Sequence, residues 1–185
     1  SVEGPHVLRR NGEVMEVSST GEFGPNLSGF SLIRPPRSLD DLRDIGLGKE
    51  LFVKVNPKLI IDVEATTGGV RSTGVPRFGR VRVTAGGCHL SDVIEVSDLL
   101  SQAGGVTVEG PISLGRSRLK VESGSLTLIL KPGSSVMVHA DAKFGHIRWP
   151  EDNGGADEVV FGNGSARCDL TVTMGLATVK SEVPA

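Results

Sequence analysis

At 185 residues the chain is long enough to bury roughly 70% of the surface it would expose unfolded, so size alone calls for no disulfide or metal staple. With 25 Gly, 10 Pro, 4% aromatic residues and no Tyr, it is turn-rich and unlike a helical domain, and small branched side chains must supply its interior. The net charge of −2 excludes bulk attraction to nucleic acid or an anionic membrane, and no apolar run approaches the roughly 18 residues of a spanning helix, so no transmembrane segment is expected.

The first stretch, "GPHVLRRNGEVMEVSS", reads as two strands joined at Asn11-Gly12, a hairpin-type turn. Residues 1–33 are expected to be N-terminal strands, remnants of structure that began before Ser1, since a start at Ser rather than Met fits an excised or processed chain. Residues 34–49 break the pattern. In "RPPRSLDDLRDIGLGKE", Ser38 is placed as an N-cap and Asp40 and Asp41 complement the helix dipole. Leu39, Leu42 and Ile45 share a face and Gly46 ends it, predicting a short α-helix near 38–46 that caps an end or flank.

From Leu51 onward, short runs alternate apolar and polar residues between Gly, Pro, Asn and Ser. In "LFVKVNPKLIIDVEAT", Leu51, Val53 and Val55 face one way, as do Leu59, Ile61, Val63 and Ala65 after the Asn56-Pro57 turn. Val81, Val83 and Ala85 follow, with Arg80 and Arg82 outward. Leu119 and Val121 come next, then Leu126, Leu128 and Leu130. The inward set of "VMVHADAKF" is Val136, Val138, Ala140, Ala142 and Phe144, and that of "DLTVTM" is Leu170, Val172 and Met174. Cys88 and Cys168 lie in such contexts and are read as buried free thiols.

Glycine with an apolar residue one or two places on recurs at Gly69, Gly87, Gly105, Gly124, Gly145 and Gly175, at intervals of 18, 18, 19, 21 and 30. The last interval is long because residues 150–166 form an inserted loop. A period near 20 with two short strands per repeat predicts an all-β, single-stranded β-solenoid over 50–185, within one domain covering 1–185. The glycines would mark corners where a side chain would crowd the adjacent coil. A β-sandwich is the alternative, but its strands need no regular interval.

The segments "GPHVLRRNGEVMEV", "TTGGVRSTGV", "ESGSLTLILKPGSSVMVHADAKFGHIRWP" and "GNGSARCDLTVTMGLATV" resemble the adhesin-type bacterial β-solenoid domains, related in pattern to the C-terminal domains of cell-wall-active antibiotics response proteins. The likeness covers roughly residues 50–180 and leaves the 34–49 segment unaccounted for. It implies a non-enzymatic scaffold or interaction module of a bacterial protein, cytoplasmic or envelope-associated, with no catalytic residues and no cofactor.

"HADAKFGH" offers His139, Asp141 and His146, but a metal site wants three or four converging ligands, and the plainer reading is the wet parity of a strand. There is no Gly-x-Ser-x-Gly elbow and no phosphate-binding loop ending in Gly-Lys-Ser/Thr, so neither catalytic nor metal residues are assigned. One candidate binding face remains. Arg80 and Arg82 share an outward parity, Arg116 and Arg118 flank a later strand, and Arg148 follows. Stacked coils would align them toward an anionic polymer or an acidic protein surface. The competing reading is a solvated face neutralised by Glu95, Glu109, Glu122 and Asp141. A second kind of partner is the chain itself, polymerising end to end through open coil edges as bactofilin-type β-helices do.

Overall fold

The computed structural model describes residues 1–4, 6–19, 51–151, 153 and 155–182. The expected helix at 38–46, its Ser38 cap and the Pro184-Ala185 terminus lie outside them. Among the described residues every regular element is a β-strand, so the chain is all-β. Its contacts divide into two compact units, within residues 1–55 and 56–185.

In the first unit, β1 (Val2–Glu3) pairs antiparallel with β4 (Phe52–Val53), and β2 (His6–Asn11) with β3 (Val14–Ser19). The Asn11-Gly12 turn joins β2 to β3 as expected, with Gly12 at φ +61°.

The second unit is one nine-stranded sheet whose spine is parallel. It contains β5 (Ile61–Thr67), β6 (Val70–Ser72), β7 (Arg77–Ala85), β8 (Cys88–Leu90), β9 (Glu95–Gly110), β10 (Arg116–Leu130), β11 (Val136–Arg148), β12 (Glu158–Phe161) and β13 (Ala166–Ser181). Along the spine the order is β5, β7, β9, β10, β13, β11, and β12 closes the series antiparallel to β11. The short β8 pairs parallel with the second arm of β9, and β6 pairs parallel with β8.

Each long strand has two arms separated by a bend at a glycine. In β10 the buried residues are Ser117, Leu119 and Val121 before Gly124, then Leu126, Leu128 and Leu130 after it, so the inward parity shifts by one at the bend. The bend glycines are in register: Gly104 pairs with Gly124, Gly124 with Gly175, and Gly175 with Gly145. A Cβ at Gly124 would overlap the carbonyl of Gly104, and one at Gly175 the carbonyl of Gly124, while both glycines hold φ near +140°. Two constraints therefore select glycine at once. In the first two marks the in-register bend residues are Gly68 and Gly86, one position before Gly69 and Gly87. Likewise Gly105 pairs with Ser125 rather than with a glycine.

Three expected inward residues prove exposed for the same reason. Ala85, Met174 and Phe144 each occupy the position just before the bend glycine, in line with Thr67, Ala103 and Ser123, and all six are exposed where the inward parity shifts. Phe144 is 73% exposed and Met174 59%. Leu59, in the Asn56-Pro57 turn, and Val53 in β4 are also exposed.

The interior is one cluster running the length of the sheet, from Phe78 and Val81 through Leu99, Leu119 and Leu170 to Val138 and Phe161. Connecting segments stack as well. The Lys131 N–H donates to Gly110 O, Ser135 N–H to Ile112 O and Ala166 N–H to Ser135 O. Strand order departs from chain order at one place: β13 lies between β10 and β11. Burial on both sides suits β13, whose Cys168, Leu170, Val172, Ala177 and Val179 are all buried. The second half of β11, with Lys143, His146 and Arg148, suits an edge. Residues 150–166, expected as a loop, carry β12.

Candidate anion-binding face

Because inward residues alternate with outward ones, the first arms of β10 and β13 must show Arg116, Arg118 and Lys120 beside Arg167, Asp169 and Thr171 on their outer surface. Register places Arg116 opposite Arg167, Arg118 opposite Asp169 and Lys120 opposite Thr171. His139 of β11 lies on the far side of Asp169. With Asp98 from β9 these side chains line an open depression of about 560 Å³.

Two arginines directly opposite each other on neighbouring strands would repel. Asp169 resolves this: it accepts from Arg116 Nε at 2.8 Å and from Arg167 Nε at 3.0 Å, one carboxylate oxygen to each. Burial opposes ionisation of Asp169, yet the hydrogen bonds from Arg167 and Arg116 hold its carboxyl below the usual range. Arg167 also approaches Glu158 at 3.9 Å, and Lys120 approaches Glu122 at 3.9 Å. Arg82 makes an ion pair with Asp98 and donates to the Asp98 and Val81 carbonyls at 3.0 Å each. Arg118, exposed between Asp98 and Asp169, has neither an ion pair nor a side-chain hydrogen bond among the described residues. Counting the full charges that line the depression, four cations (Arg116, Arg118, Lys120, Arg167) face two carboxylates (Asp98, Asp169).

Of the five arginines singled out from the sequence, Arg116 and Arg118 line this depression. Arg82 borders it through Asp98. Arg80 pairs in register with Asp98 rather than with another arginine. Arg148 lies on the second arm of β11, opposite Thr178, away from the other four. Lys120 and Arg167 were missed. Lys120 shares the parity of Arg116 and Arg118 and could have been found by extending the alternation. Arg167 joins them only because β13 inserts beside β10, which no interval reveals. The interleaving carboxylates are Asp98 and Asp169, joined from the expected set by Glu122 beside Lys120, whereas Glu109 lies on the second arm of β9 and Glu95 pairs with Arg77 at 3.0 Å.

The second arms carry a different outer surface. His89, Thr107, Thr127, Thr178 and Arg148 form one column across five strands. His89 Nε2 lies 3.1 Å from Ser91 Oγ and 3.4 Å from Glu109, which also accepts from Ser91 Oγ at 2.8 Å. The Ser91 hydrogen bond is the main reason the Glu109 carboxyl sits below its ordinary range. His139 and His146 fall on different arms of β11, and among the described residues no three metal-ligating side chains converge. Cys88 and Cys168 are free and buried, their thiols pushed up to about 11 and about 12 by burial, which keeps them protonated and unreactive at neutral pH.

No protein-family model matches the chain, and neither a curated protein nor a solved structure matches it. No helix among the described residues is long and apolar enough to cross a membrane.

Proposed function

We propose that residues 56–182 are a single-stranded β-solenoid that serves as a non-enzymatic scaffold or interaction module of a bacterial protein, and that its first-arm face takes anionic groups of a protein or polymer partner. The in-register glycine bends and stacked connections support the solenoid reading, since a sandwich would divide the core between two packed sheets. The observation that carries the functional reading is Arg118: an unpaired guanidinium in a depression where cations outnumber carboxylates. Its fork of donors suits phosphate or carboxylate oxygens, and the flat parallel ladder repeats that opportunity along an extended partner.

The test is a salt-dependent titration with long-chain polyphosphate and with polyglutamate, which separates phosphate from carboxylate chemistry. Wild-type binding that weakens roughly tenfold in R118Q/K120Q supports the reading. Absence of binding to both polymers, or binding unchanged in that variant, overturns it.

End-to-end polymerisation is the second reading, favoured by β5, which among the described residues pairs with β7 alone. At the opposite end β12 lies antiparallel across Val136–His139 of β11, and such a lid interrupts the parallel continuation that a filament needs.

A further inference from the structure

The free edge of β11 has its own logic, independent of the anion-binding reading. β12 covers β11 only from Val136 to His139, and the Ala140 N–H then donates to Asp157 O at 2.9 Å. From Asp141 to Arg148, among the described residues, β11 has β13 on one side and no backbone partner on the other. The Ala140 bond shows that inward-facing residues of β11 direct their N–H and C=O groups to the open side. Ala142 repeats that direction two residues on. Past the bend the inward parity resumes at Ile147, so its backbone groups point to the open side too.

The open window is centred on the Phe144-Gly145 bend, with Ala142 and Ile147 equally distant from its middle and Asp141 and Arg148 one step further out. A two-fold axis through the bend therefore sets Ala142 against Ile147 of a second copy, and Ile147 against its Ala142, each pair exchanging both backbone bonds of an antiparallel ladder. The same operation brings Asp141 opposite Arg148 of the second copy, twice. Both side chains are exposed and neither has an ion pair within its own chain among the described residues. Phe144 would sit across from the second copy's Gly145, the pairing by which an aromatic ring covers a strand glycine, and Met174 lies beside Phe144 in register. Lys143 against His146 is the one unfavourable match.

We propose that this edge is a homodimerisation surface, in which two copies pair antiparallel through residues 141–148. An isologous contact of this kind closes on itself and yields a dimer, not a fibre.

The experiment is sedimentation equilibrium on the full chain as wild type, D141R, R148D and the D141R/R148D double variant. The wild type should form a concentration-dependent dimer, each single reversal should raise its Kd by roughly tenfold, and the double variant should recover it, because the pair is restored with its signs exchanged. Circular dichroism on the same samples checks that the exposed substitutions leave the sheet intact. A wild type that stays monomeric, assembles beyond a dimer, or dimerises equally well in both single variants would overturn the proposal.

Discussion

The two arms of each strand share one interior and one ladder, yet their outer surfaces diverge. Before the bend the columns are ionic: Arg116 against Arg167, and Arg118 against Asp169. After it, Thr107, Thr127 and Thr178 stand in line. The inward positions are nearly all apolar because each packs against its in-register neighbours on the adjacent strands, whereas the outward positions meet solvent and answer only to their neighbours in the same column. The bend glycines insulate one surface from the other, and a specialised face can arise on one arm without disturbing its twin.

The sharpest way to break that arrangement is at the bend itself. Gly124→Ala should cost at least about 3 kcal/mol, because it combines an unfavourable φ with overlap on the Gly104 carbonyl. Gly87→Ala, with no heavy atom within 4 Å of the added Cβ, should stay within about 0.5 kcal/mol. Denaturant midpoints measure both, and equal costs would refute the account of the bend.

Next in size is a contrast between two buried hydroxyls. Ser117 Oγ accepts from the Val96 N–H at 3.0 Å, so Ser117→Ala should destabilise by about 1–3 kcal/mol by leaving that donor unsatisfied. Ser101 Oγ is buried without a partner among the described residues, so Ser101→Ala should be stabilising by up to about 1 kcal/mol. Thermal melts of the two variants should move in opposite directions.

A smaller effect separates the ionic arm from the threonine arm. The folded-state pKa of Asp169 is depressed, so its contribution is present above the unfolded carboxyl pKa, about 3.9, and is lost as pH falls through the lower folded value. Asp169→Asn should therefore be less stable than the wild type at pH 7, with the gap closing in acid below about pH 4. Stability measured against pH for the two proteins checks this; a gap that persists unchanged in strong acid would remove Asp169 as its source. Smallest of all, Thr127→Val on the other arm should change stability by less than about 0.5 kcal/mol at any of these pH values and leave polyanion binding as it was.

Much of this molecule is legible in its sequence, and the limits have physical causes. Alternation located the strands of the large sheet, and the buried face came out right along the straight arms of β10, at Leu119, Val121, Leu126 and Leu128. It failed at Phe144 and Met174, because a period of two holds only while the backbone keeps one direction. The glycine interval located the bends to within a residue, the uncertainty coming from paired glycines of which only one meets the carbonyl of the next rung. Of the candidate face, Arg116 and Arg118 could be read from parity. Arg167 could not, since its place depends on which strand lies beside which. That choice turned on the relative polarity of β11 and β13, a comparison that local pattern does not contain.

The insertion of β13 also has a temporal side. Residues 116–130 leave the ribosome well before residues 166–181, yet the latter furnish one whole flank of β10 and stand between it and β11. During synthesis β10 must wait with a long apolar strand edge unfilled while β11, a shorter match for the same place, has already emerged. Completion of this sheet must therefore await the emergence of β13, and the nascent chain has most need of a chaperone in the interval between those two strands.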